Sequence, residues 1–319
     1  MCLKVNFSLV LPIKKVFEMY VRLLFACLIC TAVQTNLSHA GFFASLLTDG
    51  QVNMLEDFDR EIFLDSDGAG GYTLGDTINV GGYLMGVWQI ETVQSLPGNV
   101  TSTLPTGGKT MTIAFITEVL TKVDSGVAGP NRFQYTLGAA SDQVWTDMGL
   151  VRNDDGTLIT LYEDSNGGIA NGAADGTLAP VLAALDSGQD GNLVFEFGFT
   201  GAGGLAAGNE YWDASSATDS TLGSGLQSTP VNYFAALNVT VDHDPTVELE
   251  EHDFLGANTG PTQVQIFGGI ETPATLTNAL PVNTDTDIYI NPNIVPEPTS
   301  FAIFGIMGLA GLGVRRRRV

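Results

Sequence analysis

The middle of the chain alternates between apolar and polar residues, which is typical of β-strands with one buried face. The clearest alternation covers residues 111–123, 193–200 and 231–241. Shorter candidates are residues 133–137, 158–162, 264–266 and 288–290, and the apolar stretch 78–93 fits a central strand. The side chains expected to face inwards are those of Ile113, Phe115, Val119, Val123, Phe195, Phe197, Val231, Tyr233 and Leu237.

Such segments, separated by long glycine- and aspartate-rich loops, predict a mainly β domain with an antiparallel β-sandwich of jelly-roll or Ig-like type. The sequence contains little evidence for helices inside this domain. A short crossover turn fits residues 180–185. One helical stripe could be formed by Val52, Leu55, Phe58 and Ile62. We expect a single exported β domain over residues 41–294.

Residues 1–40 have the layout of a secretory signal peptide. An apolar stretch at residues 23–33 follows three basic residues, and Ser38-His39-Ala40 fits a small-x-small cleavage site. Residues 19–40 would make a complete signal by themselves, so Met19 is a second candidate for the start of translation. The segment predicts export of everything that follows it.

The last 25 residues combine three parts in a fixed order. Pro296-Glu297-Pro298 comes first, and an apolar run over residues 301–314 follows. The chain then ends in a basic stop made of Arg315, Arg316, Arg317 and Arg318 before the final valine. A run of this length extends about 21 Å as a helix, which is short against the roughly 30 Å of a bilayer core. It can span when Arg315 snorkels to the interface, and the basic flank then stays cytoplasmic.

This arrangement resembles the PEP-CTERM sorting signal of exported bacterial proteins, and residues 296–298 are the motif itself. The resemblance covers only the tail, residues 295–319. It implies a transmembrane intermediate held in the inner membrane by the C-terminal helix, and then processing by an exosortase-like enzyme and release to the cell surface or matrix. A plain C-terminal tail anchor that is never removed is the alternative.

The positions of the cysteines and the net charge further limit the range of possible functions. All three cysteines precede residue 41, so the expected mature chain has no disulfide and no thiol nucleophile. Residues 41–314 carry five basic and 34 acidic residues, a net charge of −29. Such a surface repels nucleic acid and anionic lipid and attracts cations, which argues against a DNA or RNA partner.

The acidic stretch 65–76 follows the template of a 12-residue EF-hand-type calcium loop. Gly70 falls where the template turns sharply, and the ligands would come from Asp65, Asp67, the Gly71 carbonyl, Thr73 and Asp76. Ala69 at the fifth position has no oxygen to give, and the second flank resembles a strand rather than a helix. The similarity to an EF-hand is therefore limited to the loop. The alternative to a calcium site is an acidic β-turn that binds no ion.

No catalytic motif is evident: a serine-hydrolase elbow, a zinc-protease helix and a complete phosphate-binding loop are all missing. The sequence therefore does not support an enzymatic function. His243 and His252, with the acids around them, could form a transition-metal patch, although a solvated acidic loop is the better interpretation. Trp145 and Trp212 stand in polar surroundings and are candidates for stacking on sugars, with end-capping of the core as the alternative.

Two classes of function follow. The first is a structural or adhesive protein of the cell envelope or extracellular matrix, since the resemblance implies an association with exopolysaccharide. The alternative is a carbohydrate-binding module protein. The sorting signal is common to both, so the sequence distinguishes them only through the two tryptophans.

Overall fold

The structure is a computed structural model that describes residues 41–66, 71–74, 78–165, 169, 177–217, 231–254, 260–270 and 284–295. The signal peptide, the sorting motif, the apolar run and the basic stop predicted from the sequence lie outside these residues. Within the described part of the chain, no helix is both long and apolar enough to cross a membrane. Phe42–Val295 form one compact unit.

The described chain is built mainly from antiparallel strands. The fourteen strands are β1 Asn53–Ser66, β2 Tyr72–Leu74, β3 Tyr83–Ser95, β4 Asn99–Thr103, β5 Thr110–Asp124, β6 Phe133–Ala139, β7 Thr157–Asp164, β8 Asn192–Gly198, β9 Tyr211–Ser216, β10 Val231–Asp242, β11 Val247–Leu249, β12 Val264–Ile270, β13 Thr284–Ile290 and β14 Pro292–Ile294. The three helices are α1 Phe42–Leu46, α2 Asp142–Asp147 and α3 Ala179–Gly188. The last of these covers residues 180–185, where a short crossover turn was expected, and forms a ten-residue helix between the antiparallel neighbours β7 and β8.

The main sheet closes on itself. Strands β3, β1, β13, β12, β10, β8, β7 and β5 pair in that order, and β5 pairs with β3 to complete a ring of eight. The mainly β, antiparallel prediction is confirmed, but the sheet forms a closed barrel rather than two stacked sheets. Strands β5 and β10 make closure feasible because both are long, and both carry a register shift, which bends a strand and increases its twist.

One wall of the barrel is divided between two pairs of strands. Residues 110–115 of β5 pair with β7, whereas residues 117–124 pair with β6. In the same way, residues 238–242 of β10 pair with β8, and residues 231–236 pair with β9. The β7–β8 pair therefore gives way to the β6–β9 pair along this wall. We call the place where they meet the fork.

Two hydrophobic clusters hold the fold. The first fills the barrel and includes Trp88, Phe115, Trp212 and Tyr233. The second lies between helices α2 and α3 and the outer face of β1, β3, β5 and β7. Part of β3 and β5 is consequently buried on both faces, which explains why the stretch 78–93 is so apolar.

The inward-facing residues are confirmed with one exception. Ile113, Phe115, Val119, Phe195, Phe197, Val231, Tyr233 and Leu237 all belong to the barrel core. Val123 is 53% exposed instead. The register of β5 shifts between Val119 and Thr121, so one extra residue reverses the alternation beyond it.

The helical stripe proposed for Val52, Leu55, Phe58 and Ile62 was wrong. These residues belong to β1 or directly precede it. Apolar residues of β1 serve two different cores, because successive residues of a strand point to opposite faces. Leu55 faces the barrel interior, whereas Ile62 faces the helices. A strand buried on both faces thus produced a spacing that imitates a helix.

Candidate functional site

The described chain ends directly before the sorting motif. Strand β14 pairs with β11, and the Val295 backbone N–H donates to the Thr246 carbonyl at 2.9 Å. Val247 and Leu249 of β11 belong to the barrel core. Val295, the residue directly before Pro296, is therefore held to the barrel by backbone hydrogen bonding. The tail begins from this residue.

A groove lies on the outer face of the barrel, across strands β6, β9, β10 and β12. Its volume is about 570 Å³. Among its lining residues are Gln134, Thr136, Asp213, Asn232, Phe234 and Phe267. The register explains this composition, because Thr136, Asp213, Phe234 and Phe267 are successive partners in one row across four strands. We call this feature the outer groove.

An aromatic row continues from the outer groove along the same face. The ring centroids of Tyr211 and Phe234 are 5.2 Å apart and the rings are stacked. Phe234 and Phe267 meet edge-on at 4.1 Å, and Phe267 meets Tyr289 edge-on at 5.8 Å. All four rings are half-buried. Each ring keeps part of its surface open to solvent, whereas a residue next to it in its strand points into the barrel core.

The outer groove is lined by one charged residue, Asp213, and further carboxylates lie beside the aromatic row. Burial raises the pKa of Asp213 above its usual range, against a hydrogen bond with Thr136 that lowers it. Burial also raises the pKa of Asp287, and the neighbouring charges of Asp285 and Glu56 add to this. None of the residues lining the outer groove is basic. The face therefore favours a neutral or cationic ligand over an anionic one.

A buried polar network at the fork centres on Glu196, whose side chain is fully buried. Its Oε2 accepts from the Asn153 backbone N–H at 2.8 Å and from the Thr157 hydroxyl at 2.8 Å. Its Oε1 accepts from the Asn153 amide and lies 3.1 Å from His243 Nε2. Burial raises the pKa of Glu196, but these hydrogen bonds outweigh burial and leave the pKa below its usual value. The network joins β7, β8 and the end of β10.

The proposed calcium loop lies at a hairpin between β1 and β2. Asp65 and Thr73 are direct cross-strand partners, so their side chains share one face. Gly71 is also described, whereas Asp67 and Asp76 lie outside the described residues. The second flank is a strand, as the sequence indicated. The structure thus brings two of the predicted ligands together and leaves the calcium site a proposal.

Neither tryptophan offers a face to a ligand in this structure. Trp145 lies in α2 and is 1% exposed, and the Arg152 guanidinium sits 5.5 Å from its ring centroid. Trp212 lies in β9 and is fully buried against Phe115 and Tyr233. Both residues stand in regular elements rather than in polar loops, and their rings pack into the two hydrophobic clusters.

The two histidines also have separate roles. His243 contacts Glu196 in the network at the fork, whereas His252 forms an isolated bridge with Thr262 and packs edge-on against Phe254. Across the residues that the structure describes, no group of three or more histidine, cysteine or acidic side chains is arranged to hold a metal ion. A transition-metal patch in this part of the chain is therefore not supported.

The outer groove was not predicted from the sequence, although a signal for it was present. Asn232 and Phe234 alternate with the inward-facing Val231 and Tyr233, so Phe234 occupies a position where a polar residue is expected. A large aromatic residue on the solvent face of a strand is stronger evidence for a binding surface than a tryptophan in a polar stretch. Its neighbours in space come from distant strands, which only the register identifies.

Comparison with known proteins supports the assignment of the tail. A family model described as the PEP-CTERM protein-sorting motif matches residues 295–318. Neither a curated protein nor a solved structure matches the chain. The protein carries a PEP-CTERM sorting motif, and it is therefore an exported protein that is anchored through its C-terminal tail before exosortase processing.

Proposed function

We propose that this is a structural or adhesive protein of the cell envelope or extracellular matrix, associated with exopolysaccharide. The sorting motif at residues 295–318 carries the proposal, because it accounts for export and for delivery to the surface. The net charge of −29 over residues 41–314 keeps such a protein soluble and away from nucleic acid and anionic lipid.

The construction of the barrel supports an extracellular role. The expected mature chain has no cysteine, so it depends on its packed core rather than on disulfides outside the cell. Every strand of the eight-stranded ring has both edges paired. Closing the ring leaves fewer open strand edges, which disfavours unwanted strand pairing between copies that are concentrated at a surface.

The sorting step is tested by intact-mass measurement of the protein recovered from the cell surface and medium. We expect a chain that lacks both the signal peptide and the segment Arg315 to Val319. Replacing Pro296 and Glu297 by alanine should leave the tail attached and the protein in the membrane fraction. Pro130→Ala, in an exposed turn, is the matched control and should be processed normally. Recovery of a surface protein that still ends in the four arginines would contradict the processing.

The matrix role needs a separate measurement. Cells without this protein should release more polysaccharide into the medium under shear, and re-expression of the natural chain should restore retention. Re-expression of the chain with Pro296 and Glu297 replaced should not. If shear releases the same amount of polysaccharide with and without the protein, the proposed role in the matrix is refuted even where sorting is normal.

A further inference from the structure

We propose that the outer groove and the aromatic row beside it bind a neutral polysaccharide chain. This inference deepens the proposed function, since it supplies the contact through which a matrix protein would hold polysaccharide. It replaces the two tryptophans, which are buried, with a different set of residues. The shape of the face, its mixture of ring and amide groups, and its charge all favour such a ligand.

The shape suits an extended chain better than a compact small molecule. The residues in the row cross strands β6, β9, β10 and β12, and neighbouring strands lie about 4.8 Å apart. The aromatic row extends the same line to Tyr289 on β13. The site is therefore a long, shallow track across five strands, open at its surface, in which a linear polymer would lie.

The side chains combine the two chemistries that a sugar presents. The half-exposed rings of Phe234 and Phe267 offer apolar surface to the C–H faces of a pyranose ring. Beside them, the amides of Gln134 and Asn232 are exposed and hold no hydrogen bond to the described residues. An amide provides both donors and an acceptor, which matches hydroxyl groups. Asp213 adds an acceptor in the centre of the row.

Charge decides which class of polysaccharide fits. Asp213 lies within the outer groove, and Asp285, Asp287 and Glu56 flank the far end of the aromatic row. With no basic residue in the lining, these carboxylates would repel a uronate or sulfated chain. A neutral glycan avoids this repulsion and still uses the carboxylates as hydrogen-bond acceptors. We therefore commit to a neutral polymer.

Ring contacts between neighbouring strands also stabilise a sheet, so the experiment must separate binding from folding. The full-length chain, purified in mild detergent, is run on native gels that contain hydroxyethyl cellulose, dextran or a soluble mannan. Alginate serves as the anionic comparison. We expect at least one neutral polymer to retard the protein in proportion to its concentration, and alginate to leave its migration unchanged.

Phe234→Leu combined with Phe267→Leu keeps apolar volume in the row but removes both flat rings. We expect this variant to lose about tenfold in affinity, which corresponds to about 1.4 kcal/mol of stacking. Tyr83→Leu is the matched control, because it removes a half-buried ring that packs edge-on against Tyr72 outside the outer groove. Circular dichroism melting of each variant identifies any loss that comes from unfolding, and Phe234→Tyr should retain binding.

Each of four outcomes would overturn the proposal. The first is retardation by none of the neutral polymers, and the second is retardation by alginate alone. The third is equal retardation of the natural chain and the folded double-leucine variant. The fourth is a dimer in solution that the double-leucine variant abolishes, which would make this face a contact between two copies. The assay uses purified protein, so a failure here is distinct from a failure of sorting or of the shear measurement.

Discussion

Replacing Glu196 by glutamine tests how the fork is held together. The carboxylate is fully buried, and its four hydrogen-bonding contacts come from Asn153, Thr157 and His243. Thr157 in turn lies 2.9 Å from the Thr240 hydroxyl, so the network reaches β10. Glutamine has almost the same shape, which limits the perturbation to charge and to the loss of one acceptor.

The expected cost follows from the contacts. An amide oxygen in the place of Oε2 can still accept from the Asn153 N–H and from Thr157. The new NH₂ group would face the two groups that now contact Oε1, the Asn153 amide and His243 Nε2. Hydrogen bonds to a charged acceptor contribute about 1.5–3 kcal/mol each to stability, so this exchange is costly. Rotation of the Asn153 amide can recover one of them, so we expect a loss of about 2–4 kcal/mol. For a domain of this size, that lowers the melting temperature by about 5–15 °C.

The effect should depend on pH in a defined direction. The pKa of Glu196 is lower in the folded chain than its usual value of 4.5, so its contribution to stability is complete above that value. As the pH falls through the pKa of the folded chain, the carboxylate is protonated and the contribution is lost. The difference in melting temperature between the natural chain and Glu196→Gln should therefore be large at neutral pH and should narrow in acid.

Thermal melts followed by circular dichroism across this pH range provide the measurement, and Glu118→Gln provides the control. Glu118 is half-buried on β5, and burial raises its pKa. Its charge therefore opposes folding, and Glu118→Gln should be neutral or slightly stabilising at pH 7, with the opposite pH trend. A Glu196→Gln deficit that stays constant or widens towards low pH would refute our account of the fork.

Two further predictions concern charged groups near turns. If the hairpin between β1 and β2 binds calcium, we expect an affinity on the order of 10⁻⁴ to 10⁻³ M. Millimolar calcium should then raise the melting temperature, and Asp65→Ala with Asp67→Ala should abolish the rise. An unchanged melting temperature in the natural chain would exclude the site. Hydrogen bonds from Arg132 and from the Gly126 backbone lower the pKa of Asp124 to about 2. An NMR titration should show this pKa move back towards 3.8 in Arg132→Ala, and a pKa that does not change would contradict the pairing.

The strands were predictable because their alternation is a local property. Residues 193–198 of β8 and 231–241 of β10 show period two clearly, and the structure buries Phe195, Phe197, Val231, Tyr233 and Leu237 in the barrel core as the pattern predicted. Bulges set the limit of this reasoning. In β3 and β5 a single extra residue reverses the alternation, and the sequence around Glu91 and Leu120 gives no sign of where it falls.

Closure of the sheet could not be predicted for a related reason. It depends on β5 and β10 each pairing with three different strands, which is a matter of register and length rather than of composition. A sandwich and a barrel share the same strands and the same alternation. The outer groove was missed for the same cause, because Thr136, Asp213, Phe234 and Phe267 become neighbours only through that register.

The tail and the barrel therefore differ in how much their sequences reveal. A sorting signal is recognised as a linear segment, so the order of motif, apolar run and arginines is sufficient to identify it. A binding face on a barrel is assembled from single residues on separate strands, each of which looks ordinary within its own strand. This difference explains why the destination of the protein follows from 24 matched residues, whereas its ligand must be inferred from the outer surface of the folded sheet.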